Sequence, residues 1–183
     1  MTTQSGNPWN FVPHQHQGPH QETATDAHTR SPTKHNGAVK AGGIITFMGA
    51  PYCPPDRDNI REMGAKVCFL GAPWDLSTIV RTGTSSGPQG IREASTQYFP
   101  YMFEYDVDLM TFFNVVDCGD IPIVPGNSVK SQQYMVDYVT ECLEGGARVI
   151  LVGGDHSVPI PGARALSNHL ERHRPQAKMG YLH

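Results

Sequence analysis

Long apolar runs are missing from this chain of 183 residues. No stretch approaches the ~18 consecutive apolar positions that a membrane span needs, so no membrane partner is expected. A basic surplus is missing too. The 14 Lys plus Arg face 17 Asp plus Glu, for a net charge of -3, and that balance offers no attraction to nucleic acid or to an anionic lipid surface. The amino terminus lacks the charged start and apolar stretch of a secretory signal, which points to a cytoplasmic protein. Cysteine is scarce: Cys53, Cys68, Cys118 and Cys142 are spaced 15, 50 and 24 residues apart with no CxxC pair. That spacing favours free thiols in a reducing compartment over a disulfide scaffold or a zinc site. What remains, 38% hydrophobic and 17% charged residues, suits one globular domain with a tail. Collagen, coiled coil and wholesale disorder are excluded.

Residues 1–43 have a composition of their own. Five of the nine histidines (His14, His16, His20, His28 and His35) lie there among Gln, Thr, Pro and Gly, with few apolar residues. Such a segment buries too little surface to offset its ordering entropy, so a disordered His-rich tail is expected. A metal-scavenging tract is the competing reading, against which the irregular intervals and the lack of Cys both count. Residues 44–183 form the domain. From Lys66 onward short apolar strands alternate with helical segments, the signature of βαβ units. Strands are predicted at 66–71, 113–117, 148–152 and 178–182, and continuous apolarity suggests that they are buried and parallel. A helix is predicted at 86–95, with Pro88 in the first turn, where a missing N–H costs nothing, and with Ile91, Ala94 and Tyr98 on one face. Met135, Val136, Val139, Cys142 and Leu143 recur at helical spacing, and Gly145-Gly146 supplies a left-handed stop. Pro159 and Pro161 confine the next helix start to about residues 158–162, with Ala163, Leu166 and Leu170 as its apolar face. The expected fold is α/β, a doubly wound parallel sheet with its sites in the loops that leave the carboxyl ends of the strands.

Two of those loops, 71–90 and 153–157, carry chemistry. Val152-Gly-Gly-Asp-His-Ser-Val158 follows a buried strand and precedes a helix, which puts His156 at the carboxyl edge. A lone His there is more often a hydrogen-bonded structural residue. The adjacent Asp155 changes the balance, because metal-binding imidazoles commonly lean on a carboxylate behind them, and the two glycines let the backbone approach a bound group. On the residues alone, metal ligation and a structural role stand level. The stretch Arg81 to Gly90 lacks the GK[ST] ending of a phosphate-binding loop and the GxGxxG spacing of a dinucleotide site. Trp74 reads as loop packing rather than a substrate wall. The aromatic run 98–105 suits either an interface or burial under the sheet. Asp106, Asp108, Asp117 and Asp120 show no metal-ligand spacing. Asp26-Ala-His-Thr29 sits in the polar tail with no buried strand to aim it, and is set aside as a metal motif.

Gly153-Gly-Asp-His-Ser157 resembles the first metal-binding motif of the ureohydrolases, the arginase and agmatinase family. The resemblance runs over roughly residues 42–183 and includes Thr46-Phe-Met48 with Pro51, Leu70-Gly-Ala-Pro-Trp-Asp75, Arg81-Thr-Gly-Thr-Ser-Ser-Gly-Pro88, Ile91-Arg-Glu-Ala-Ser95 and Asp117-Cys-Gly-Asp120. Their order matches that of the agmatinase and guanidinobutyrase branch. The resemblance implies an arginase-like, three-layer doubly wound sheet of which this chain is the N-terminal part. It also implies two divalent metal ions, Mn2+ or alternatively Ni2+, holding a hydroxide that attacks the resonance-stabilised carbon of a small guanidino compound. The substrate would be guanidine, agmatine or guanidinobutyrate, the product urea, and the assembly a homo-oligomer, a trimer or hexamer when complete. By the same resemblance His156 binds the first metal, Asp155 stands behind it, and Asp75, Arg81, Thr82 and Gly83 form a substrate loop. Thr82 replaces a proline usual in the agmatinase branch, and Ser85 a bulkier residue. These hydroxyls, with the long N-terminal extension, are similar to the guanidine hydrolases, which use nickel.

In the family, the segment resembling Met179-Gly-Tyr-Leu-His183 runs into a DAHxD motif with three ligands, followed by a DxD motif with two more. The present sequence contains one of the expected six. By itself the chain is therefore expected to be inactive and to aggregate along an unprotected fourth strand. A catalytically inactive remnant acting through protein contacts is the alternative, and a single-zinc deacetylase-like hydrolase is a third reading.

Overall fold

An unbroken apolar run satisfies both its faces only inside a sheet that is covered on both sides. Val67-Cys-Phe-Leu-Gly-Ala72 takes that place, with five of its six residues buried. The computed structural model describes residues 44–182, so the predicted tail 1–43 and the DAHT tetrapeptide lie outside the described residues. In chain order the elements are α1 (Arg57–Glu62), β1 (Val67–Ala72), α2 (Gly87–Ser95), β2 (Tyr101–Met102), β3 (Val107–Asp108), α3 (Leu109–Phe113), β4 (Val115–Asp120), α4 (Ser128–Glu144), β5 (Arg148–Gly153) and α5 (Pro159–His173). Single 3-10 turns stand at Phe47–Gly49 and Thr84–Ser86. The sheet is parallel and ordered β4-β1-β5, with Val67 opposite both Val115 and Arg148. β2 and β3 form a separate antiparallel hairpin.

The best-defined helical period in the sequence becomes α4. Asn127 caps it by accepting from the Lys130 amide at 2.9 Å, and Gly146, at φ 92°, ends it. Its inner face, Met135, Val136, Val139 and Cys142, packs on Cys68, Leu70, Val116 and Cys118. Burial of such aliphatic side chains contributes about 1.5–3 kcal/mol each. All four cysteines are buried free thiols, and Cys68, Cys118 and Cys142 bring their sulfurs within 4.8 Å of one another. Burial, the nearby Cys68 and Asp56 push the Cys53 thiol up to about 11.

Three expectations are corrected and one open choice is decided. The third predicted strand, expected to be buried, is an edge of the sheet: β5 has no buried residue, and Ile150 is 47% exposed. The face of α2 named from the sequence points outward: Ile91 is 43% exposed, Tyr98 just beyond the helix is 71% exposed, and the buried side is Pro88, Arg92 and Ser95. The polar side turns inward because each of its polar groups finds a partner there. Arg92 grips Asp117 through Nε at 2.8 Å and Nη2 at 2.9 Å, and Ser95 Oγ accepts from the Met48 amide at 2.8 Å. The aromatic run, Tyr98 to Tyr105, is likewise largely exposed rather than buried under the sheet. Finally, residues 178–182 form no strand. Leu182 is fully exposed, while Met179, Gly180 and Tyr181 lie across a cleft beside α5 and the β5 edge. An apolar run records a tendency to leave water, and only a ladder partner would make it a strand. A smaller shift concerns the second strand, which starts at Val115 because Phe113 closes α3 and Asn114, at φ 43°, turns the chain.

The Arg92–Asp117 pair yields a test. Replacing Arg92 by Met leaves the Asp117 carboxylate, 1% exposed, without its counter-ion. A loss of about 3–5 kcal/mol is expected in urea unfolding; a loss below about 1 kcal/mol would show that the pair is not a structural requirement.

Candidate functional site at the carboxyl edge of the sheet

β1 and β5 are neighbours, so the loops that leave their carboxyl ends emerge side by side. The contact between the loops is close enough to dictate a residue: a Cβ on Gly154 would stand 2.0 Å from the Trp74 carbonyl oxygen. The Asp155 amide donates to that same carbonyl at 2.8 Å. Trp74 is 2% exposed, and its indole Nε1 donates to Ser157 Oγ at 3.1 Å. Packing, not substrate contact, is its role here.

Asp155 is the centre of the junction. Its Oδ2 accepts from the Ser77 amide at 2.7 Å, and its Oδ1 accepts from the Ser157 amide at 2.9 Å and from Ser157 Oγ at 2.6 Å. Both oxygens are thus committed within the protein, and the buried carboxylate ties the loop after β1 to the loop after β5. His156, the next residue, is exposed. It lines a cleft of about 750 Å³ together with Gly153, Gly154, Asp155 and residues of α4, α5 and the 179–181 segment.

Asp75 organises the second loop. Its Oδ2 accepts from the Gly83 amide at 2.9 Å and from Ser85 Oγ at 3.0 Å, and these bonds hold the Asp75 carboxyl below the usual carboxylate range. Gly83 stands at φ 112°, a conformation that side chains with a Cβ rarely adopt. Arg81 and Thr82 are exposed on this loop. Asp155 and His156 therefore sit together at the edge, whereas Asp75 and Gly83 pair with each other, and their loop meets Asp155 through the Ser77 amide and the Trp74 carbonyl; none of Asp75, Arg81, Thr82 and Gly83 lines the His156 cleft.

Sequence reasoning passed over the Ser77 amide, the Ser157 hydroxyl and Asp117. Ser157 had a usable signal, since a hydroxyl two residues after a buried Asp commonly closes a local turn onto it. The Ser77 amide has no side-chain signal at all.

Among the described residues, no set of three His, Cys, Asp or Glu donors forms around His156. One imidazole at the edge fits a single metal contact, not a complete metal pair, and both Asp155 oxygens already accept hydrogen bonds within the protein. Asp155→Asn places an amide N–H₂ against donors that it cannot accept from. It should cost about 1–3 kcal/mol and speed hydrogen exchange at the Ser77 and Ser157 amides; unchanged exchange at both would remove Asp155 as the link between the loops.

Residues 65–183 match the model of the Arginase family. The guanidinobutyrase of Pseudomonas aeruginosa is 28% identical over 160 residues, which cover 86% of this chain and 47% of that protein. The agmatinase of Cronobacter sakazakii is 32% identical over 141 residues, 75% of this chain and 42% of that protein. Among solved structures, proclavaminate amidino hydrolase from Streptomyces clavuligerus aligns with a TM-score of 0.62 and 29% identity, covering 69% of this chain and 40% of that one. The chain thus spans under half the length of the curated relatives it matches.

Proposed function

This chain belongs to the arginase family, and on that premise we propose that the protein in full hydrolyses a C–N bond of a small guanidino compound, with water adding to the guanidinium carbon and urea and an amine or ammonia leaving. The observation that carries this reading is His156 at the carboxyl end of β5 with Asp155 fixed behind it by three hydrogen bonds. The relatives named guanidinobutyrase and agmatinase support the substrate class.

A pair of divalent ions, Mn2+ or Ni2+, would lower the pKa of water and hold it facing the carbon. His156 supplies one imidazole to such a centre. The remaining ligands would come from the more than half of the relatives' length that this chain does not span, as the family resemblance implies. The contribution of the chain's own residues is positional. Asp155 keeps the loop carrying His156 against the loop after β1, Trp74 fills the junction, and Asp75 holds the Gly83 to Ser85 turn. Thr82, Thr84 and Ser86 are exposed hydroxyls on that loop, which does not line the His156 cleft, so their bearing on the choice among guanidine, agmatine and guanidinobutyrate depends on the part of the fold that this chain does not span.

The exposed aromatics Tyr98, Phe99 and Phe103 support a contact surface, because apolar patches on a surface mark contacts; that the contact is with further copies, as a trimer or hexamer, follows from the family resemblance alone. Four buried free thiols support a reducing, cytoplasmic setting. The alternative, an inactive remnant acting through protein contacts, is favoured by one observation: among the described residues no set of three metal donors includes His156.

Urea release separates the two readings. The 183-residue chain alone should release none from guanidine, agmatine or guanidinobutyrate with Mn2+ or Ni2+ added. The protein spanning the full length of its relatives should release it, His156→Ala should abolish that turnover with circular dichroism unchanged, and Asp155→Asn should lower it by about 10–100-fold. A full-length protein that binds metal and turns over none of the three would overturn the proposal.

A further inference from the structure

α5 begins at the carboxyl edge and runs back, so its last turn lies beside the end of α4, away from His156. Two histidines four residues apart on one helix share a face. His169 and His173 do so, with ring centroids 4.5 Å apart. Between them and α4 stands Glu144, the last residue of α4, whose side chain is only 10% exposed. Its Oε1 lies 3.1 Å from His169 Nδ1 and 3.0 Å from His173 Nε2, and its Oε2 lies 2.9 Å from His173 Nε2. One ligand atom from each of the three residues falls within 4.8 Å of the other two.

We propose that Glu144, His169 and His173 form a binding site for a divalent transition metal of the zinc type, a clip between α4 and α5 that is separate from the His156 edge.

Three observations support the site. The first is the donor set. Two imidazoles and a carboxylate are a standard ligand set for zinc, with a fourth position left for water. The second is distance. Bonds of 2.0–2.1 Å in a tetrahedron put neighbouring ligand atoms about 3.3 Å apart, so the two carboxylate–imidazole contacts, at 2.9–3.1 Å, need open by only a few tenths of an ångström, while the two imidazole nitrogens lie within 4.8 Å of each other. The third is the local field: α4 and α5 both end here, and the negative ends of two helix dipoles favour a cation. The groups that oppose binding are on the surface. Arg172 Nη1 is 3.8 Å from Glu144 Oε1 but its side chain is 60% exposed, free to swing into water. Arg61 is engaged with the Glu144 carbonyl at 2.6 Å, and Arg57 with Glu141. Without a metal the same contacts are hydrogen bonds between ring nitrogens and a carboxylate, and the two accounts differ in their response to zinc.

Zinc is titrated into the 183-residue chain against a chromophoric chelator, with the unfolding midpoint followed in parallel. The histidines at 14–35 are present in every variant, so the reading is the difference between variants. His156→Ala should keep the tight zinc equivalent and the zinc-dependent rise in midpoint. Both should vanish in His169→Ala/His173→Ala, and binding should weaken at least tenfold in Glu144→Gln. Equal tight stoichiometry and equal midpoint shift in the double variant and the unmodified chain would overturn the site. Where the variants fail to fold, the unmodified chain suffices: zinc should protect His169 and His173 from carbethoxylation as mapped by mass spectrometry, and modification of both at the metal-free rate would equally overturn it.

Discussion

A guanidinium and a carboxylate that are both withdrawn from water must satisfy each other almost completely, or one of them is an uncompensated charge in the core. Arg92 and Asp117 meet that condition with two parallel N–H···O bonds, and the surroundings complete it. Asp117 also accepts from the amides of Phe47 and Gly119, while Arg92 donates further to Asp120 and to the Gly119 carbonyl. The guanidinium lies over the Phe69 ring, which stacks on Phe47 at 4.3 Å. Through this one pair the entry segment, α2, β1 and the end of β4 are locked together. The separate motifs Thr46-Phe-Met48, Ile91-Arg-Glu-Ala-Ser95 and Asp117-Cys-Gly-Asp120 turn out to be parts of a single polar cluster.

The candidate site depends on that cluster for its geometry. Asp120 closes the far side of β1, where a Cβ on Gly71 would stand 1.9 Å from Asp120 Oδ1. On the near side α2 begins against β5, since a Cβ on Gly87 would meet the Gly153 carbonyl at 2.8 Å. The loop carrying His156 is thus bounded by α2, by Trp74 and by the Asp155 junction. Two buried carboxylates, Asp117 in β4 and Asp155 just after β5, perform the same task on the two sides of β1: each accepts from backbone amides and from a side chain, and so fixes the segments around it.

The two ends of α5 are held differently. At its start, Pro159 and Pro161 follow the GGDHS turn and set the helix direction from the site. At its end, the Glu144, His169 and His173 group holds it to α4 through side chains that are partly open to water. The polar contact of the α4–α5 pair is therefore concentrated at the end remote from the candidate site, where it holds the two helices together without occupying the carboxyl edge.

Local pattern determined a large part of this protein. The apolar runs at β1 and β5, the helical period of α4, the prolines that start α2 and α5, and the position of His156 after an apolar strand are all properties of neighbouring residues, and each is legible in the sequence. The fate of a side chain whose partner lies far along the chain was not. Ile91 and Tyr98 look like an inner face until Arg92 is seen to find Asp117, 25 residues on. Residues 178–182 look like a strand, but among the described residues no ladder partner pairs with them. Asp155 sits beside a histidine in the sequence, yet its carboxylate is spent on the Ser77 amide 78 residues earlier as well as on Ser157. Periodicity reports how strongly a residue prefers to leave water; only the tertiary structure decides which groups meet there, because a buried polar group is stable only where a distant partner arrives to satisfy it.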